Sequence, residues 1–222
     1  MSLYILVEGR RTEKAVYPCW VNYATGLVKK ETPENPDKND FFIISGYGYP
    51  CIITNHLKNA IADVNLYAYD NFWIVVDADD EDIDSRRRYI QENINKYNLN
   101  PNVKVDIIIQ KTCIETFGLA NNNFFPKPEN INAELSEFKD KYDVTTQDPA
   151  LLITSKSVDG INTAGFHESY LKAIFVANGT SYTKKRPGLF KNEDFFNGIK
   201  ERFQQTGHII SFSEILSAME RL

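Results

Sequence analysis

Two short apolar runs in this chain end in carboxylates. Phe72-Trp73-Ile74-Val75-Val76 runs straight into Asp77-Ala78-Asp79, and Leu3-Tyr4-Ile5-Leu6-Val7 into Glu8-Gly9. Along an extended backbone, residues i and i+2 point the same way, so Asp77 and Asp79 are expected to converge on one ion. In open α/β sheets the ligand sits beyond the carboxyl ends of the strands. Hard oxygen donors there suit Mg²⁺ or Mn²⁺. If the two strands are parallel neighbours, Glu8 joins the same rim. A metal-binding Asp pair beside one Glu suits phosphodiester chemistry, with the Glu moving protons or adding a ligand.

The elements that must position these groups alternate. Strands are expected over 3–8, 41–45, 71–77 and 103–109. Helices are expected over 12–24, 51–66, 83–97 and 113–121, with a polar loop at 31–40. Strands separated by helices imply βαβ units and a mainly parallel sheet flanked by helices, an α/β, Rossmann-like class. In this reading the Asp pair closes the third strand. After residue 122 the pattern changes, with helices expected at 129–142, 167–177, 191–204 and 211–221. The division is therefore an α/β core, residues 1–121, and a helical C-terminal extension, residues 122–222, packed on it.

The motifs carry a resemblance. Hydrophobic-Glu-Gly followed later by hydrophobic-Asp-x-Asp resembles the signature pair of the Toprim domain, found in primases, topoisomerases, RecR and OLD-family nucleases. Within that group the likeness is closer to small stand-alone Toprim-like proteins related to RloB and OLD nucleases, often linked to bacterial phage defence. Their glutamate motif resembles Val7-Glu8-Gly9-x-x-Thr12-Glu13. A later Cys/Phe-Glu element resembles Cys113-Ile114-Glu115-Thr116-Phe117, and a late Tyr-x-Lys element resembles Tyr182-Thr183-Lys184-Lys185. The likeness covers roughly residues 1–120 and is loose beyond. It implies a Toprim-type, Mg²⁺- or Mn²⁺-dependent nuclease, with Glu8, Asp77 and Asp79 as catalytic and metal-binding residues and Glu115 as a further ligand. Lys185 is the catalytic lysine in this reading, ahead of Lys184; Arg10, Arg11 and Lys184 meet the substrate phosphate. The implied partners are nucleic acid, DNA ahead of RNA, a separate ATPase and a second copy of the chain.

Each group has a plainer explanation. Strand-end Asp residues often form turns or cap helices. Glu13 and Glu115 both fall in first helical turns, where acidic charge complements the helix dipole. Lys184 and Lys185 would be bare surface charge in a loop. An Asp-x-Asp phosphatase of the haloacid dehalogenase type would need the pair on its first strand and leaves Glu8 without a role. A non-catalytic Toprim-like module, holding a metal, a nucleotide or a partner, keeps every carboxylate.

Composition narrows the classes. The net charge of −5 over 222 residues argues against a coat of non-specific nucleic-acid contacts, which needs many Lys and Arg. The charge is uneven: residues 77–84 hold six carboxylates, while Arg10-Arg11, Arg86-Arg87-Arg88 and Lys184-Lys185-Arg186 are basic. Six carboxylates in that stretch do not make an EF-hand, because Asp82 stands where Gly is needed and Arg88 where the closing Glu should be. Cys19, Cys51 and Cys113 show no Cys-x-x-Cys pattern, and His56, His167 and His208 no zinc spacing. A reducing cytoplasm is expected, without a signal sequence or a membrane span. Gly46-Tyr47-Gly48 is too short for a phosphate-binding glycine loop and no Gly-x-x-x-x-Gly-Lys-Ser/Thr occurs, so the chain is not expected to hydrolyse ATP itself.

Overall fold

In a computed structural model, which describes residues 1–156 and 160–222, five strands form one all-parallel sheet. They are β1 (Leu3–Val7), β2 (Val28–Lys29), β3 (Asp40–Ser45), β4 (Asn71–Asp77) and β5 (Lys104–Gln110). The order across the sheet is β2-β3-β1-β4-β5. The fold is α/β and Rossmann-like. Every residue of β1 is buried, as are the first six of β4, because both strands lie inside the sheet with helices on each face. The two-residue β2 carries no apolar run and gave no sequence signal. It makes the Asp-bearing strand fourth in chain order, not third.

Helices α1 (Thr12–Thr25), α2 (Leu57–Leu66), α3 (Ile83–Ile94) and α4 (Ile114–Leu119) are the connections and the exit of the sheet. Beyond them lie α5 (Ala133–Lys141), α6 (Thr163–Ala177), α7 (Glu193–Thr206) and α8 (Phe212–Glu220). The period-two alternation of the strands sorts the core into two layers. Tyr4, Leu6, Phe72, Ile74 and Val76 pack with apolar residues of α2 and α3. Leu3, Ile5, Val7, Trp73 and Val75 face α1 and α4, and share one continuous cluster with Phe175, Phe190, Phe196 and Phe212. Residues after 122 thus cover one face of the sheet and do not build a core of their own. Among the described residues no helix is long and apolar enough to cross a membrane.

β1 and β4 are hydrogen-bonded neighbours with Val7 opposite Val75. The chain leaves β1 toward β2 and β3 on one side, then crosses to β4 and β5 on the other. The β1–β4 boundary is therefore the topological switch point, where open sheets bind ligands at their carboxyl ends. Glu8 and Asp77 sit there.

The turn after β3 is packed without slack. A Cβ on Gly46 would lie 2.4 Å from the Ile52 side chain and 2.6 Å from its Cα, atoms that cannot swing away. Gly46→Ala should therefore cost about 1–3 kcal/mol of unfolding free energy, read by urea titration.

Candidate active site

Glu8 knits the rim together. One carboxylate oxygen accepts the Asp77 N–H and the other the Tyr49 N–H, both at 3.1 Å. A single side chain thus fixes the ends of β1 and β4 and the loop after β3. Asp77 accepts from the Gln110 amide at 2.6 Å, and Gln110 in turn accepts the Tyr17 hydroxyl at 2.9 Å. Gln110 is fully buried.

Two further carboxylates arrive from helix N-terminal turns. Glu13 on α1 is buried and lies over Gly9, where a Cβ would meet its carboxylate at 1.9 Å. Glycine at position 9 therefore makes room for Glu13, beyond easing the turn. Glu115 on α4 is 1% exposed and accepts the buried Tyr182 hydroxyl at 2.6 Å. Lys184 stands 3.9 Å from Glu115 and 3.3 Å from Glu168, and its backbone carbonyl accepts the Thr12 hydroxyl at 3.4 Å. The late Tyr-x-Lys segment is in this way docked against α1 and α4.

These groups line a cleft of about 380 Å³. Glu8, Glu13, Asp77 and Glu115 supply its acidic lining; Arg10, Arg11 and Lys184 its basic lining; Tyr47 and Gly48 also contribute. Burial and mutual repulsion set the electrostatics. Asp77 is held well above the carboxylate range by burial first, then by the charges of Glu13, Glu8, Glu115 and Asp79. Glu13 is raised to about 7 by burial, then by Glu115 and Glu8 against the pull of its own backbone N–H. Burial also raises Glu8, against its two backbone hydrogen bonds. Burial opposes the Lys184 charge, but Glu115 and Glu168 outweigh it and hold the ammonium above its usual value. The phenol of Tyr182 is likewise raised, by burial and then by Glu115.

Asp79 departs from the expected alternation. Extended backbone ends at Asp77, and Asp79 adopts a left-handed φ of 49° that Asp tolerates, with its N–H on the Thr112 carbonyl. Its carboxylate does not line the cleft. It lies half-buried nearby, with Arg86, Asp80 and Glu81 as its main charged neighbours. Lys185 is exposed and outside the cleft lining, whereas Lys184 is part of it. Arg10 and Arg11 both reach the rim. Of the histidines, buried His167 bonds Thr116 and the Leu152 carbonyl, His208 meets Arg202, and His56 stacks on Tyr47.

Four hard carboxylate donors in one small cleft fit a divalent cation by donor type and by charge, since repulsion among buried acids is what a cation relieves. The side chains are not drawn into a ready cage. Among the described residues no three His, Cys, Asp or Glu groups stand together as metal ligands. Glu8 is engaged by two amides and Asp77 by Gln110, so holding an ion requires rotation of these side chains.

Spacing alone left Glu13 as a dipole charge and gave Tyr17 and Gln110 no role. Gln110 carries a usable signal, being the one polar residue ending the apolar run Ile107–Ile109 at a strand's carboxyl end. Removing the Tyr182 hydroxyl should test the docking of the late segment. Tyr182→Phe leaves buried Glu115 without its short hydrogen bond and should cost about 1–3 kcal/mol in denaturant unfolding.

No protein-family model matches the chain, and no curated protein or solved structure matches it either.

Proposed function

We propose that the cleft hydrolyses phosphodiester bonds of nucleic acid, DNA ahead of RNA, with Mg²⁺ or Mn²⁺. The observation that carries this reading is the convergence of Glu8, Glu13, Asp77 and Glu115, with a basic lining of Arg10, Arg11 and Lys184, at the switch point of a parallel sheet. Asp77, Glu8 and Glu115 would hold the ion, with Asp79 completing the set after rotation of its side chain. The bound ion supplies Lewis acidity and an acidified water. Glu8 receives or returns a proton at its carboxylate. Arg10 and Arg11 hold the non-bridging oxygens of the substrate phosphate. Lys184, which lines the cleft, would take the charge-stabilising role expected of Lys185.

In this reading the chain is a Toprim-like nuclease of the RloB and OLD type, with residues 122–222 as a helical extension. It works in the cytoplasm, as part of phage defence, with a separate ATPase and as a homo-oligomer. Incubating supercoiled plasmid and single-stranded DNA with the protein in Mn²⁺, Mg²⁺ or EDTA tests it. Metal-dependent cutting that Asp77→Ala lacks is the expected result; cutting retained in that variant would sink the assignment.

A second reading is a non-catalytic Toprim-like module that binds a metal, a nucleotide or a partner. The engagement of both Glu8 oxygens by backbone amides favours it, as does the net charge of −5. Absence of cleavage with any metal would select it.

A further inference from the structure

One lip of the cleft carries a stack of planar groups. Tyr47 is half exposed, and His56 stacks against its ring at 5.1 Å between centroids and 22° between planes. The Arg10 guanidinium lies 4.3 Å from the Tyr47 ring centre. Arg10 is itself exposed and pairs with no carboxylate among the described residues. Among the described residues its edge donors meet no acceptor, and its guanidinium can stack on a second planar group.

The loop holding Tyr47 is tied to Glu8 at several points. The Gly48 N–H and the Ser45 hydroxyl both bond the Glu8 carbonyl, Ser45 also receives the Tyr47 N–H, and the Tyr49 N–H holds the Glu8 carboxylate. Tyr47 has a φ of 64°, an unfavourable conformation for a bulky residue, adopted between two glycines. The ring is thus fixed relative to the acidic lining while it remains open to solvent.

We propose that the His56–Tyr47–Arg10 column is a nucleobase platform, on which an unpaired base stacks beside Arg10 and delivers its phosphate into the cleft. This rests on the phosphodiester reading and narrows its substrate to single-stranded or locally splayed nucleic acid. A base inside a duplex has both faces covered by its neighbours and cannot join the column; bases of single strands stack readily on aromatic rings and guanidinium planes. Arg10 serves twice, its plane toward the base and its edge toward the phosphate, which a lysine cannot do.

Fluorescence anisotropy with a labelled oligo(dT) strand and its duplex with oligo(dA), in EDTA and again in Ca²⁺, tests the platform. The single strand should bind at least about ten-fold tighter than the duplex, and Tyr47→Asn should lose on the order of ten-fold of that affinity. Asn tolerates the left-handed backbone, and an unchanged melting temperature confirms the fold. Tyr47→Phe should bind as wild type, whereas Arg10→Lys should lose affinity although the charge is kept. Equal binding of duplex and single strand, or Tyr47→Asn and Arg10→Lys both binding as wild type, would overturn the platform. Cleavage of the same strands in Mn²⁺ is scored separately. Cutting without Tyr47-dependent binding refutes the platform alone, and Tyr47-dependent binding without cutting refutes the hydrolytic reading and leaves the platform standing.

Discussion

Asp77→Asn should abolish metal-dependent cleavage and, at the same time, raise the melting temperature of the metal-free protein. Asn keeps the shape of the side chain and can still accept the Gln110 amide, which lies 2.6 Å away in the native site. What it loses is the charge, which is partly buried and opposed by Glu13, Glu8, Glu115 and Asp79. In the metal-free protein that charge is a cost, and each kcal/mol of relief at a domain of this size moves the melting point by about 2–4 °C. On the hydrolytic reading the same charge would hold the ion, whose Lewis acidity is worth several kcal/mol, or roughly 10³-fold in rate or more. Opposite signs for stability and activity are the mark of a functional carboxylate. Plasmid cleavage and differential scanning fluorimetry in EDTA read the two effects on one sample.

Raising the pH from about 5 to 8 should destabilise the metal-free protein, and Mg²⁺ or Mn²⁺ should restore what is lost. Glu8, Glu13 and Asp77 are all carboxyls whose folded pKa lies above the unfolded one. The folded state therefore binds their protons more tightly than the unfolded state does. The stability this gives is complete below the unfolded pKa and disappears as pH climbs through the folded one. For Glu13 the window runs from 4.5 to about 7, a shift worth on the order of 3 kcal/mol. A cation in the cleft replaces the protons, so the pH dependence should flatten at saturating metal. Melting curves from pH 5 to 8, with EDTA or Mn²⁺, decide it; a metal-free melting point that is flat or rises over that range would contradict the assignment of these groups.

What could be read from the chain divides along physical lines. The sheet was legible because β1 and β4 are unbroken apolar runs and the intervening helices show their own periodicity. Strand β4 was placed at Asn71–Asp77, and the pairing of Glu8 with the Asp end follows once β1 and β4 are neighbours. The short β2 escaped because its two exposed residues, Val28 and Lys29, belong to the sheet only through pairing with β3. Asp79 was misplaced for a local reason: alternation holds only while the backbone is extended, and a positive φ two residues past Asp77 breaks it. Glu13, Glu115 and Lys184 meet only through tertiary packing, since 171 positions separate Glu13 from Lys184 along the chain and their shared cleft appears only in the fold. Tyr47 offered a signal that was too weak to use, an aromatic between two glycines immediately after a strand.

Whether a divalent ion binds among Glu8, Asp77 and Glu115 is the point on which the hydrolytic reading turns, because these side chains hold other partners in the structure. Titration of Mn²⁺ into metal-free protein, followed by electron paramagnetic resonance of the free ion, measures it directly. Saturable binding that Asp77→Asn loses is the expected result. An undiminished free-ion signal, or binding that Asp77→Asn leaves unchanged, would contradict a metal centre in this cleft.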